Sequence, residues 1–141
     1  MSSQDQYPYI LVVDDETLIV QYVQRVLQRG NYRVLTATNA EEACAIFEEN
    51  RIRIGLLLTD IVMPGTMDGF ELATKIHRNE PTLPICFMTG MLPESDPRSV
   101  EITEKGLLLR KPFFAKQLLD FLDGRIGSGS PKLPSFLESL P

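Results

Sequence analysis

Ile10-Leu11-Val12-Val13-Asp14-Asp15-Glu16 sets the reading of this chain. Four aliphatic residues in a row, with Tyr9 before them, suit a strand buried on both faces; a half-exposed strand would alternate apolar with polar. The run then breaks into three carboxylates. Beyond them Leu18, Ile19, Tyr22, Val23, Val26 and Leu27 recur at helical spacing over residues 17–29, and Gly30-Asn31 stops the helix. Strand, charged tip and helix make one unit, and the rest of the chain repeats it.

Tyr32 to Ala37 reads as a second strand. Asn39-Ala40-Glu41-Glu42 predicts a capping box, with Asn39 as N-cap and Glu42 reaching back, for a helix that turns Ala43, Ile46 and Phe47 inward and ends near Asn50. Ile54 to Thr59 is the most apolar run and belongs at the centre of a sheet. Asp68 caps the next helix, whose inward residues are Phe70, Ala73 and Ile76. Leu83 to Met88 and Leu107 to Arg110 are two further strands. A last helix runs from about Phe114 to Asp123, closed by Gly124. Between these strands, Met91 to Gly106 contains Pro93 and Pro97, which leaves at most 99–105 for a helix and predicts a long loop. Five solid apolar strands alternating with helices imply an α/β fold: a five-stranded parallel sheet, doubly wound by right-handed crossovers, with helices on both faces.

The 141 residues predict one domain over 9–124, with a polar lead-in at 1–8 and a tail at 125–141. A chain of this length buries roughly two thirds of its unfolded surface, enough for a core without staples. Gly127-Ser128-Gly129-Ser130 reads as a flexible linker. Past it, Leu133, Phe136, Leu137 and Leu140 fall at i, i+3, i+4 and i+7, with Pro134 fit for a first turn, and two readings stand open: a disordered end or a short docking helix. A net charge of -5 argues against a grip on nucleic acid, which needs a concentrated basic face. No apolar run is long enough to cross a membrane and no signal peptide is visible, so the expected site is the cytoplasm, with Cys44 and Cys86 as buried, reduced thiols. His77, beside Arg78 and Asn79, reads as a solvated side chain.

Ligands of doubly wound sheets bind outside the carboxyl ends of the strands. Those ends carry Asp14-Asp15-Glu16, Asp60, Thr89-Gly90 and Lys111-Pro112. Adjacent carboxylates repel by roughly 4 kcal/mol per pair at 4 Å in an effective dielectric of 20, so something must neutralise them. Hard oxygen ligands in a small cluster suit Mg²⁺. A carboxylate beside such a metal can attack phosphorus and form an acyl phosphate, while metal, lysine and hydroxyl share the charge on the phosphoryl oxygens. A single Asp at a strand end is more often a helix N-cap; caps do not explain the whole set.

With these residues in hand, the chain from Tyr9 to about Gly124 resembles the receiver domain of two-component response regulators. The likeness rests on Ile-Leu-Val-Val-Asp-Asp-Glu at 10–16, Thr-Asp-Ile-Val-Met-Pro at 59–64, Met-Asp-Gly-Phe-Glu-Leu at 67–72, Thr89-Gly90 and Leu-Arg-Lys-Pro-Phe at 109–113. The resemblance implies a flavodoxin-like strand order 2-1-3-4-5. It implies that Asp60 accepts a phosphoryl group from a histidine kinase or a histidine phosphotransfer protein. Mg²⁺ would be held by Asp15, Asp60 and the backbone carbonyl of Val62, with Asp14 acting mainly through a metal-bound water. Thr89 would move to the phosphoryl group, Lys111 would pair with it, and a cis bond before Pro112 would aim that lysine. Phosphorylation would act as a switch. With no DNA-binding domain after residue 124, output would pass to a downstream protein effector.

The chain departs from the family pattern in several places. Leu108 stands where receivers carry a switching Tyr or Phe, so coupling from Thr89 to the output surface should differ. Gly65-Thr66 makes the loop beside Asp60 one residue longer than the common spacing. The proline-broken fourth helix lies on a face many receivers use to dimerise, which predicts no dimer of the usual kind through 99–121. Val62 and Met91, two residues beyond Asp60 and Thr89, are apolar and cannot orient an attacking water, which predicts a long-lived acyl phosphate. Two other functions compete. One is a receiver fold without the chemistry, acting only as an interaction module. The other is a Mg²⁺-dependent phosphatase of the haloacid dehalogenase kind, but Asp60-Ile61-Val62 lacks the second aspartate that enzyme needs.

Overall fold

β1 (Tyr9–Val13) lies between β2 (Arg33–Ala37) and β3 (Ile54–Asp60), with β4 (Ile85–Thr89) and β5 (Leu108–Arg110) following outward. All pairings are parallel, in the order 2-1-3-4-5. This arrangement comes from a computed structural model that describes residues 8–126 and 131–138. Ile10 to Val13 are all fully buried, as are Leu56, Leu57 and Leu58, so both faces of the central strands are covered. Continuous aliphatic runs produce this placement because every outward position would otherwise expose a large apolar side chain.

Among the described residues, five α-helices cover the sheet: α1 (Thr17–Arg29), α2 (Ala40–Asn50), α3 (Gly69–Asn79), α4 (Pro97–Glu104) and α5 (Ala115–Leu122). α1 packs on α5, and α2 on α3. The core joins Phe47, Phe70 and Phe87 to the aliphatic residues of β1 and β3. The Lys111–Pro112 peptide is cis.

Several local expectations need correction. α4 begins at Pro97, two residues before the position allowed for it, because a proline at the first helical residue has no N–H to lose and its φ already suits a helix. Asp96 caps it by accepting from the Arg98 N–H. α1 does stop at Gly30-Asn31 as expected, with Asn31 in the left-handed conformation at φ 69°. The box at α2 is only half made: Asn39 Oδ1 accepts from the Glu42 N–H at 2.7 Å, but the Glu42 carboxylate accepts from the Thr38 hydroxyl. The complete box is at α3, where Asp68 accepts from the Glu71 N–H at 2.8 Å and Glu71 accepts from the Asp68 N–H at 3.1 Å. Asp68→Ala should therefore lower stability by about 1 kcal/mol in urea unfolding. His77 is buried rather than solvated, since it shares the inward side of α3 with Phe70 and Ala73.

The tail docks. Ser135–Glu138 forms one 3₁₀ turn. Leu137 is buried, and the Phe136 ring sits 5.2 Å from Phe70 and 6.5 Å from Phe87. Residues 1–7 of the lead-in, the Gly127–Ser130 linker and Leu140 lie outside the described residues.

Candidate functional site

The sheet delivers the expected groups to one edge. Each strand tip is fixed by the ladder: the Asp14 N–H donates to the Ala37 carbonyl, Asp60 pairs with Met88, and the Lys111 N–H donates to the Thr89 carbonyl at 2.9 Å. Asp14, Asp15 and Asp60 each offer a carboxylate oxygen within 4.8 Å of the other two. Asp14 and Asp60 are buried and Asp15 is half-buried. Lys111 Nζ lies 2.6 Å from Asp14 Oδ2, 3.3 Å from Asp60 Oδ2 and 3.8 Å from Glu16 Oε1. The remaining carboxylate oxygens are also held, Asp14 Oδ1 by the Glu16 N–H at 2.9 Å and Asp60 Oδ1 by the Ile61 N–H at 2.7 Å.

Thr89 reaches the same edge but spends its hydroxyl elsewhere. It donates to the Met91 carbonyl at 3.0 Å and accepts from the Met91 N–H at 3.2 Å. Val62 sits in the loop after Asp60 with its side chain exposed. Leu108, in β5, is half-buried opposite Phe87.

Two features escaped sequence reasoning. Gly69 opens α3 directly under the Asp60 carbonyl: a Cβ there would lie 1.9 Å from that oxygen and 2.8 Å from Ile61 Cα. The Met-Asp-Gly motif contains this glycine, but nothing in the spacing shows what it touches. The extra loop residue is also anchored. Gly65 takes φ 108°, and the Thr66 hydroxyl donates to Glu41 Oε1 in the first turn of α2.

The electrostatics of the cluster are unbalanced. Burial first, and then the charge of Asp14, push Asp60 up to about 6, against the pull of Lys111 and the Ile61 N–H. Asp14 is raised as well, chiefly by burial. Burial pulls Lys111 down, but its hydrogen bond to Asp14 and the charges of Asp60 and Asp14 outweigh that and raise it. A carboxyl whose folded pKa is raised is penalised when ionised. The penalty is absent below the unfolded value of 3.8, grows as pH rises, and is complete above about 6. Without divalent cations, therefore, the melting temperature should rise as pH falls from about 7 to about 5, by an equivalent on the order of 1 kcal/mol. Thermal melts in chelator check this, and a fall over that window would contradict it.

Known proteins resemble this chain in sequence and fold. The family model described as the response regulator receiver domain matches residues 10–123. The transcriptional regulatory protein YvrH of Bacillus subtilis is 38% identical over 105 residues, covering 74% of this chain and 43% of YvrH. The response regulator receiver protein CpdR of Brucella abortus is 33% identical over 120 residues, covering 81% of this chain and 92% of CpdR. Among solved structures, the chemotaxis protein CheY4 of Vibrio cholerae superposes with a TM-score of 0.70 at 31% identity, over 82% of this chain and 96% of CheY4. The chain spans less than half the length of YvrH and of the heme response regulator HssR of Staphylococcus saprophyticus.

Proposed function

This chain belongs to the response regulator receiver domain family, whose general function is a phosphorylation switch, and on that premise we propose that Asp60 is its phosphoacceptor. The observation that carries the reading is the position of Asp60: buried, beside two further carboxylates, with one oxygen on the Ile61 N–H and the other facing Lys111.

Whether a divalent cation fits can be judged from the cluster itself. Three hard carboxylate donors offer oxygens within 4.8 Å of one another, and one of them is raised to about 6 by burial and by its neighbour's charge. A dication relieves both penalties, and Mg²⁺ suits an all-oxygen set. Asp15, Asp60 and the Val62 backbone carbonyl would hold it directly, and Asp14 through a water. When bound, it supplies positive charge for the phosphoryl oxygens.

The chain's own residues do the rest. A carboxylate oxygen of Asp60 attacks phosphorus, an O–P bond forms, and the P–N bond of a phosphohistidine donor breaks, its electron pair staying on the imidazole. Lys111 turns its ammonium from the carboxylates to a phosphoryl oxygen, and the Thr89 hydroxyl donates to another. The acyl phosphate carries about -2 where the carboxylate carried -1, and this added charge, with the new acceptor oxygens, shifts an existing conformational equilibrium. The donor is a histidine kinase or histidine phosphotransfer protein. Leu18, Val62, Met91 and Phe114 support a protein donor, because all four are exposed apolar side chains a few residues beyond site residues. Output goes to a protein effector. None of the helices among the described residues is long and apolar enough to cross a membrane, and this reading has the protein work in the cytoplasm, where Cys44 and Cys86 stay reduced.

Incubation with acetyl phosphate and Mg²⁺, followed by intact mass measurement, should show one added phosphoryl group. An unchanged mass favours the interaction module without chemistry. With Val62 and Met91 exposed and apolar, the label should persist for minutes or longer after the donor is removed. Loss within seconds would contradict the role given to those two side chains.

A further inference from the structure

The docked tail does more than cover apolar surface. It fastens α4 at both ends. At the far end, Lys105 Nζ donates to the Leu133 carbonyl at 2.9 Å, and Glu101 accepts from both the N–H and the hydroxyl of Ser135. At the near end, the Arg98 guanidinium lies 4.5 Å over the Phe70 ring and 5.9 Å from the Phe136 ring, and is itself paired with Asp96, the N-cap of α4. Phe136 and the buried Leu137 close the groove between α3 and α4.

The loop entering α4 is held from the other side by Thr89. That hydroxyl has one proton, now given to the Met91 carbonyl. Donating it to a phosphoryl oxygen withdraws it from Met91 and frees the start of the β4–α4 loop. Leu108 offers no aromatic ring to carry such a change across β5, whereas Asp96, Arg98 and Phe136 form a contiguous path from that loop to the tail.

We propose that residues 131–138 are a latch: seated between α3 and α4 they clamp α4 in its resting position, and they loosen when Thr89 is drawn to a phosphoryl group on Asp60. The opening step rests on the phosphoacceptor reading; the clamp does not. Because the coupling is reciprocal, a loosened latch should also favour the phosphorylated state.

Amide hydrogen exchange on the full chain tests both parts, using wild type, Phe136→Ala and Glu101→Ala, each with and without acetyl phosphate and Mg²⁺, with every sample weighed intact. In both variants, exchange in α4 should speed by about tenfold or more while β1 is unchanged. Phosphorylated wild type should gain exchange over 131–138, and Phe136→Ala should reach a higher phosphorylated fraction than wild type at the same acetyl phosphate concentration. Unchanged α4 exchange in both variants overturns the clamp. A phosphorylated wild type whose tail exchanges as in the resting state overturns the opening step. A wild type that gains no mass overturns the phosphoacceptor reading and the opening step with it, while the clamp is still decided by the variants without phosphodonor.

Discussion

Asp60→Asn should abolish phosphoryl uptake and, in the same molecule, stabilise the metal-free fold. The first effect follows from chemistry, because a carboxamide is not a nucleophile toward phosphorus and the exchange leaves no equivalent oxygen at that strand tip. The second follows from charge. Ionised Asp60 is buried beside Asp14, and those penalties exceed what Lys111 returns, which is why its carboxyl is raised to about 6. An amide of the same shape can still accept from the Ile61 N–H. In chelator near neutral pH the variant should gain on the order of 2 kcal/mol, and its melting temperature should climb less than that of wild type between about pH 7 and about pH 5, Asp14 alone still contributing. In Mg²⁺ the gain should shrink, because the wild type then has its neutralising ion. Intact mass with acetyl phosphate and thermal melts in both buffers read the two effects separately. A variant that still takes up label would move the acceptor elsewhere; one less stable than wild type in chelator would mean that Lys111 dominates the cluster.

Gly69→Ala should be the most damaging small substitution near the site. The added methyl would lie 1.9 Å from the Asp60 carbonyl oxygen and 2.8 Å from both the Asp60 carbonyl carbon and Ile61 Cα. All three are backbone atoms, so no side chain can turn aside. The Gly69 N–H also donates to the Ile61 carbonyl at 2.7 Å, tying the first residue of α3 to the loop it would have to leave. Relief requires moving the start of α3 away from β3, at a cost of about 3 kcal/mol or more. The same movement shifts Ile61, whose N–H holds Asp60 Oδ1, so phosphoryl uptake should slow even in molecules that stay folded. Urea unfolding gives the first quantity and the rate of mass gain the second. Wild-type stability in this variant would show that the loop relaxes freely.

The two substitutions mark what a sequence can and cannot reveal. The parallel sheet was legible because solid aliphatic runs such as Ile10 to Val13 have only one comfortable place, covered on both faces. The gathering of Asp14, Asp15, Asp60 and Lys111 was legible because parallel strands all end on one edge. The strand order, and the role assigned to each residue, rested on resemblance to a family. What stayed hidden depends on contacts between segments distant in the chain. His77 looked solvated among polar neighbours, but the period of α3 turns it inward with Phe70. Pro97 looked like an interruption and serves instead as a first helical residue. Phe136 and Leu137 left two readings open, because a short apolar stripe does not say whether a groove awaits it; Phe70, Phe87 and Arg98 supply that groove.

Lys111 has a consequence for how the site is filled. Its ammonium, 2.6 Å from Asp14 and 3.3 Å from Asp60, is a counter-ion tethered to the cluster by its own chain. On the proposed reading, a dication entering the cluster would compete with this ammonium for the same carboxylates and gain less than their full attraction. The ammonium so displaced would stand beside Asp60, the proposed acceptor, ready for a negatively charged donor. One side chain would thereby set both the threshold for loading the site and its readiness once loaded.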